Sequence, residues 1–441
     1  MTEPTIATSR KRQPVRRRRR RGMAIVMVMV VIAIILVISN DFGSSTGTDV
    51  IAAANYRDQM RADFLARSAL NFGELVIRIQ QRLDNVKAMR GMFQITDYAD
   101  QLMLPFCGSP EEVVAAIGPL AFLGKGFGAD IGTCGTGAIM TDDDKANLNC
   151  ANTTASWATI KAALDAMMFF NAYDPVFDDN DAEGYHRDRA TQTAAFIDYI
   201  DADVMHLRDR GTTEDYGYEN LKDRYYAKNN YIDTIGELKL VRGVDDRFWE
   251  LFGSSFTVYG GCRINLSTAS NVQLIAAILF LAAKNPNDPV ILDQRRLFLL
   301  AGEVAKAKNF GESFLSLDDF ITFVKDPSAT VTALASQSGT MAGSAASAAV
   351  AQGLPGLNGG DKVGLELDKA KLTQIATTGP RRTYRIQAYG QVDRKQLKKD
   401  GSPVYPPIRS TITGVWDTKV VPQNARKTPV PNGAWVFLRE D

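Results

Sequence analysis

Residues 16–38 read RRRRRRGMAIVMVMVVIAIILVI: six arginines, one glycine, then sixteen apolar residues without a break. Arg10, Lys11, Arg12 and Arg16 to Arg21 precede Gly22, against a single acid, Glu3. Basic flanks stay on the cytoplasmic side, where the lipid is anionic. The sequence therefore predicts a single membrane pass, N-terminus inside and everything past Ile38 outside. At about 1.5 Å per residue, Met23 to Ile38 makes a helix about 24 Å long, slightly short of a hydrocarbon core of about 30 Å. It is long for the apolar region of a secretory signal, and no small-residue cleavage motif follows it. An ordinary signal anchor and a twin-arginine export signal are the alternatives.

Past the anchor the chain turns polar at SNDFGSSTGTD (39–49). Gly and Ser disfavour helix, so an interruption is expected there. RDQMRADFLARSALNFGELVIRIQQRL (57–83) then sets Phe64, Leu65, Leu70, Phe72, Leu75, Val76 and Ile79 at helical spacing among Arg, Asp and Gln. A basic leader ending in Gly directly before such a helix resembles the type IV prepilin signal. In that class a prepilin peptidase cuts after the glycine, here between Gly22 and Met23. The leader is lost and the helix stays. One departure stands out: most pilin-like subunits have Glu at the fifth mature position, which here is Met27.

The composition suits an envelope protein. The chain has 441 residues, 45% hydrophobic, enough for two or three domains. Its net charge of +1 conceals two opposed parts. The leader takes nine basic residues and one acid from totals of 51 and 50, leaving the rest at −7. That balance gives no global attraction for nucleic acid. Cys107, Cys134, Cys150 and Cys262 are an even number in an oxidising compartment. Three complete pairings are possible, four free thiols are the alternative, and no zinc-ligand spacing exists among them.

From about 95 to 150 the chain is Gly-rich and turn-like, suiting short strands and hairpins. From 152 to about 325 it is mostly helical: TASWATIKAALDAMMFF, ATQTAAFIDYIDADV, IDTIGELKLVRGVDDRFWELF, ASNVQLIAAILFLAAK, DQRRLFLLAGEVAKAK and SLDDFITFVKD are apolar-periodic segments. Residues 329–364 are Ala/Ser/Gly-rich with almost no charge and read as a mobile insertion. In the tail, RRTYRIQAYGQVD, IRSTITGVWD and GAWVFLRE read as antiparallel strands. There is an internal echo. KANLNCANTTASWATIKAAL (145–164) and CRINLSTASNVQLIAAIL (262–279) each read as a strand ending in Asn-Leu, then a cap, then an apolar helix. Ser156, and Ser270 or Thr268, are the candidate N-caps. Two ordinary strand-to-helix junctions would look the same.

Taken in order, MRADFLARSALNFG (60–73), DDDKANLNC (142–150), FIDYIDADV (196–204), the long stretch from YAKNNYIDTIGEL to INLSTAS (226–270) and WVFLRED (435–441) resemble the type II secretion minor pseudopilins of the general secretion pathway protein K family. Tyr199 stands where that family usually has Trp, and its fifth mature residue is also non-acidic. The resemblance covers most of the chain except 329–364. It implies an α+β fold: a pilin-like long N-terminal helix and antiparallel sheet, with a large inserted all-helical domain of SAM or helix-hairpin-helix type. The expected organisation is leader 1–22, anchor 23–38, helix continuation 39–90, pilin-like α/β part 91–151, inserted helical domain 152–328, insertion 329–364 and β part 365–441. It implies a place at the pseudopilus tip in protein export. Minor pseudopilins I and J are the implied partners, with H a further candidate, beside the prepilin peptidase and the inner-membrane secretion platform.

Rival readings attach to particular residues. In a helix-hairpin-helix, Val241-Arg242-Gly243-Val244 would be the turn and Arg242 could reach a DNA phosphate. Asp245 and Asp246 follow at once and repel phosphate while favouring a helix start. A type IV pilus or competence minor pilin binding DNA is the runner-up. The only histidines, His186 and His206, lie near no nucleophile or metal motif, so no enzyme is expected. YDPVFDDNDAEGYHRD (173–188) and DYIDADV (198–204) are dense in acids but fail the EF-hand spacing. The candidate calcium ligands are Asp178, Asp179, Asp181, Glu183, Asp201 and Asp203; the resemblance implies calcium in the helical domain, and a solvated acidic loop is the alternative.

Overall fold

The computed structural model describes residues 21–86, 94–107, 132–180, 184–186, 188–208, 212–219, 221–309, 314–327, 364–393, 406–420 and 433–440. The leader through residue 20, Asp181, Glu183 and residues 328–363 lie outside them. The chain divides into two units, residues 1–60 and 61–441. Helix α1 (Arg21–Asp84) supplies the whole described part of the first unit and opens the second. Its Met23 to Ile38 stretch is exposed throughout and apolar enough to cross a membrane. The break expected at 39–49 is absent. Gly43 and Gly47 each cost a helix interior about 1 kcal/mol, but a helix already nucleated on both sides gains a hydrogen bond for every residue it keeps.

The second unit is α+β, with two hydrophobic cores. α2 (Ala99–Cys107) follows α1, where short strands were expected. Then come β1 (Thr133–Gly135) and β2 (Ala146–Asn147). α3 (Thr154–Met168), α4 (Asp174–Phe177), α5 (Arg189–Ile200) and α6 (Asp246–Phe252) lead to β3 (Phe256–Thr257) and β4 (Ile264–Asn265). α7 (Val272–Ala282), α8 (Pro289–Leu292), α9 (Gln294–Asn309), α10 (Leu317–Lys325) and α11 (Lys369–Ile375) precede β5 (Ala376–Thr377). β6 (Thr383–Val392), β7 (Ile408–Asp417) and β8 (Ala434–Glu440) end the chain.

The sheet has the order β1-β6-β7-β8, all antiparallel. It packs against α1 through small residues. Ala62, Ala66 and Ala69 are fully buried, and a Cβ on Gly390 would lie 2.2 Å from the Ala62 carbonyl oxygen. Only glycine lets β6 run this close to the helix. Further along, Glu74 accepts from the Trp435 indole at 3.0 Å, and Arg78 lies 4.9 Å over the Trp416 ring. The Cys107–Cys134 disulfide and the Asp100 carboxylate, which accepts from the Thr136 and Gly137 amides, clip α2 to β1.

The helical part spans β2 to β5, beyond the expected 152–328, because Leu365, Leu367, Leu372 and Ile375 complete its core. It consists of two halves built alike. β2 pairs in parallel with β3, and β4 with β5, each through two residues. The Asn147 side chain donates to the Gly260 carbonyl and accepts from the Asn149 amide. The Asn265 side chain donates to the Gly379 carbonyl and accepts from the Ser267 amide. Asp-Pro-Val opens α4 at Asp174 and α8 at Asp288. These matches make the sequence echo a structural duplication. The expected caps differ. Asn271, not Ser270 or Thr268, accepts from the first amides of α7, and Thr153 stands at the start of α3. Ser156 and Ser270 instead donate to the Cys150 carbonyl and to Asp144. Cys150 pairs with Cys262, tying the first half to the start of the second.

Three consecutive aspartates join the helical part to the sheet. Burial opposes charge on Asp142, but Arg385 of β6 and Lys145 outweigh it and hold the carboxyl below the usual range. Asp142 also accepts from Thr257 of β3. Asp143 takes the Arg382 and Thr383 amides and the Thr383 hydroxyl, while its carbonyl accepts from the Asn265 amide. Asp144 takes the Ser270 hydroxyl.

The chain leaving α10 and the chain returning toward α11 meet: the Leu365 amide donates to the Val324 carbonyl at 3.0 Å. Residues 328–363 therefore join two points already in contact. Deleting them and linking Pro327 to Gly364 is expected to leave the melting temperature within about 2 °C of the parent. Calorimetry of the two proteins checks this, and a loss of the cooperative transition would refute it.

Candidate functional site

The acidic residues singled out in the sequence separate into two groups in space. Three of those in 173–188 are matched by arginines: Asp179 with Arg247, Asp174 with Arg189 and Asp188 with Arg208. Asp178 follows α4 at its C-terminal end and joins no carboxylate cluster among the described residues. Of the expected calcium ligands in this stretch, Asp179 is thus compensated by Arg247, and Asp181 and Glu183 lie outside the described residues.

The second group converges. Asp198, Asp201 and Glu214 each bring a carboxylate oxygen to within 4.8 Å of the other two. Asp198 and Asp201 stand in the last turn and at the cap of α5, and Glu214 opens a short 3-10 turn. Asp198 and Glu214 are buried at 4% and 3% exposure. Asp198 Oδ2, Asp201 Oδ1 and both oxygens of Glu214 are buried without a hydrogen-bond partner. Burial pushes the Asp198 carboxyl up to about 7, with Asp201 and Asp203 adding to the push and the Leu207 amide opposing it. Burial and Asp203 raise Asp201 to about 6. Burial, then the neighbouring aspartates, raise Glu214 to about 8. Asp203 is thus close enough to act on all three, although it lies outside their group.

Unpaired buried carboxylates are costly, and a single hard cation would satisfy all three. Calcium binds oxygen at about 2.4 Å, so oxygens about 4.8 Å apart or less fit around one ion. The donor set is all carboxylate, which suits calcium over zinc. Around it the loop 201–234 is tied by polar contacts. Asn229, at φ +48°, donates its amide to the Tyr199 carbonyl and its side chain to the Asp203 carbonyl. The second half of the duplication has only residues 310–316 at the matching place, between α9 and α10. Asp198 is not in the expected ligand set; its place as an acid near a helix C-terminus, where the dipole disfavours negative charge, is the signal that could have found it. Glu214, sixteen residues on, carried no such signal.

The hairpin turn is closed to phosphate. Arg242 is 9% exposed, with its guanidinium 4.9 Å over the Tyr185 ring. Its carbonyl accepts from Gln192. Gly243, at φ +80°, lies in the turn expected at 241–244, between a 3-10 turn (Ile235–Leu240) and α6. Asp245 caps α6 by accepting from the Phe248 amide. The arginine that DNA binding would need is spent inside the fold. His186 lies at the surface beside Asn180, and His206 Nε2 is 3.7 Å from Asp198 Oδ2.

Neither a family model nor a curated protein sequence matches the chain. Among solved structures it is similar to a chain in the crystal structure of the GspK-GspI-GspJ complex from the type 2 secretion system of enterotoxigenic Escherichia coli. The match covers 70% of this chain and 80% of that chain, at 14% identity and a TM-score of 0.39.

The raised carboxyls make a signed prediction. The folded state holds protons that the unfolded state has released, so without cation, stability falls as pH rises from about 4 through about 8. Calcium should cancel that fall. At a hundredfold excess over its dissociation constant it should add about 2.7 kcal/mol at pH 8 and much less at pH 5. Melting curves with chelator and with calcium at both pH values test this. Identical curves would rule out a calcium site at the cluster.

Proposed function

We propose that the chain is a minor pseudopilin that caps and initiates a type II secretion pseudopilus, held in the inner membrane by α1 with its main part in the periplasm. The observation that carries this reading is α1 itself: an apolar anchor behind a basic Gly-ended leader runs on as one helix into the residues that cover an antiparallel sheet. Its action is mechanical and non-enzymatic. Cleavage after Gly22 leaves Met23 as the N-terminus. Met27 then stands where shaft subunits carry the Glu that neutralises the terminal amine of the subunit ahead. A first subunit has nothing ahead to neutralise, and an unpaired carboxylate in the membrane costs about 2.5 to 3.5 kcal/mol.

The second support is bulk. The helical part is inserted between β1 and β6 of the sheet. Pilin-like subunits stack through their first helices, and a head enlarged by residues 146–377 leaves little room for a subunit above it. Subunits of the I and J kind are the proposed partners. Calcium at Asp198, Asp201 and Glu214 would order the first half of the helical part.

Two experiments address this reading. Gly22→Val should leave the leader uncut when a prepilin peptidase is co-expressed, read as intact mass; a mature protein beginning beyond Ile38 would contradict the processing. Tagged protein should label filament ends only, and regular labelling along the shaft would replace the tip role with a shaft role. The partner-facing side of α1 can be separated from its core side. Phe64 is 60% exposed, whereas Leu65 is 7% exposed and packs in the sheet core. Phe64→Ser should weaken partner binding and change stability by less than about 0.5 kcal/mol. Leu65→Ser should cost about 2 to 4 kcal/mol, as denaturant melts will show.

A further inference from the structure

The Cys150–Cys262 disulfide and the three clustered carboxylates are joined by a short path through the first helical half. Cys150 is buried in a 3-10 turn (Leu148–Asn152), whereas Cys262 is exposed. The side chains on either side of Cys150 hold both ends of the loop 201–234. Asn152 donates to the Ile200 carbonyl at 2.8 Å, and Ile200 lies between Asp198 and Asp201 of the cluster. Asn149 donates to the Ile232 carbonyl at 2.9 Å and accepts from the Ile232 amide at 2.8 Å. It also donates to the Val258 carbonyl, four residues before Cys262. One turn, pinned by one covalent bond, thus fixes where the loop leaves the core and where it re-enters it.

The second half is the internal comparison. NLNCANT (147–153) and NLSTASN (265–271) occupy the same place in the two halves, from the clasp asparagine to the start of the helix. Ser267 donates to the Phe314 carbonyl as Asn149 does to that of Ile232. Thr268 stands at the place of Cys150, and its hydroxyl donates to the Asn265 carbonyl. Among the described residues this half has no carboxylate cluster. The pinned turn and the cluster therefore occur together. Three carboxylates within 4.8 Å of one another repel when ionised, so a turn that holds both loop ends in place preorganises the site before a cation arrives.

We propose that Cys262 is a thiol–disulfide exchange site and that the Cys150–Cys262 bond controls calcium affinity at Asp198, Asp201 and Glu214. The exchange partner is a dithiol protein. One of its thiolates attacks Cys262 Sγ, the Sγ–Sγ bond breaks, and Cys150 leaves as a thiolate that takes up a proton. The second thiol of the partner then resolves the mixed disulfide and releases Cys262. This disulfide is reduced to two thiols and the dithiol is oxidised to a disulfide. With the pin open, the turn loosens its hold on Ile200 and Ile232, and calcium must order the loop as it binds. The coupling rests on calcium at the three carboxylates.

The test uses the full chain in neutral detergent, with calcium titrated by calorimetry. C150S/C262S should bind calcium at least about tenfold more weakly than the parent. C107S/C134S, which removes the disulfide of the sheet, should bind as the parent does. Asn152→Ala should weaken binding with both disulfides closed. The reciprocal measurement uses the unaltered protein, because linkage requires calcium to shift the reduction equilibrium by the same factor. In glutathione buffers, saturating calcium should make Cys150–Cys262 at least about tenfold harder to reduce and leave Cys107–Cys134 unchanged, read by mass spectrometry of alkylated peptides. Glutathione trapped during the exchange should sit on Cys262. Equal calcium affinity with and without the disulfide, Asn152→Ala binding like the parent, a reduction equilibrium indifferent to calcium, or glutathione on Cys150 would overturn the proposal. A parent chain that binds no calcium removes the cation reading and the coupling together, whereas binding that survives loss of the disulfide removes the coupling alone.

Discussion

Three buried aspartates in a row, Asp142 to Asp144, are the constraint on which the two-part architecture depends. Each serves a different crossing of the chain between sheet and helical part. Asp142 holds β6 and β3, Asp143 holds the head of β6 and, through its carbonyl, β4, and Asp144 holds the residue before the cap of α7. Charge buried this deeply is tolerated only where donors surround it. Asp142 has two cations. Asp143 has backbone amides and a hydroxyl, and burial still pushes its carboxyl up. Apolar packing could have glued the two parts together. Directional hydrogen bonds to three crossings also set their angle, which matters for a protein whose proposed work is to hold a fixed shape at the end of a filament.

Within the helical part, duplication explains where novelty sits. The halves share their parallel strand pairs, their asparagine clasps and their Asp-Pro-Val helix starts. They differ in their additions. The first half carries the loop 201–234 around three uncompensated carboxylates. The second carries residues 328–363 between Pro327 and Gly364, near where the first has its four-residue hairpin turn. The loop 201–234 is anchored by Tyr218 and Ile232, which are buried in the helical core, and the cation proposed at the three carboxylates would add to this ordering.

Much of the fold was legible because its signals are local. The three long strands fell within the alternating segments, and α3, α7, α9 and α10 within the apolar-periodic ones. α2 was missed because Pro105 and a Gly-rich sequel masked nine helical residues. The break at Gly243 falls in the turn that the helix-hairpin-helix likeness had marked at 241–244, although the apolar period alone ran across it. For the candidate site, acidity was visible but convergence was not. Asp178 and Asp179 looked as good as Asp201 until Arg247, far along the chain, was found beside Asp179. Which carboxylates remain uncompensated is a tertiary fact.

The order of strand pairing has a consequence for biogenesis. Each helical half closes on itself, the first by residue 257 and the second by residue 377. β1, by contrast, pairs with β6, so residues 133–135 wait for 389–391. A chain whose segments become available to fold in sequence order can therefore bury its helical halves one after the other. The sheet beneath α1 must wait for the last sixty residues. Until then the apolar underside of α1 has no cover, the kind of transiently exposed surface that a chaperone shelters.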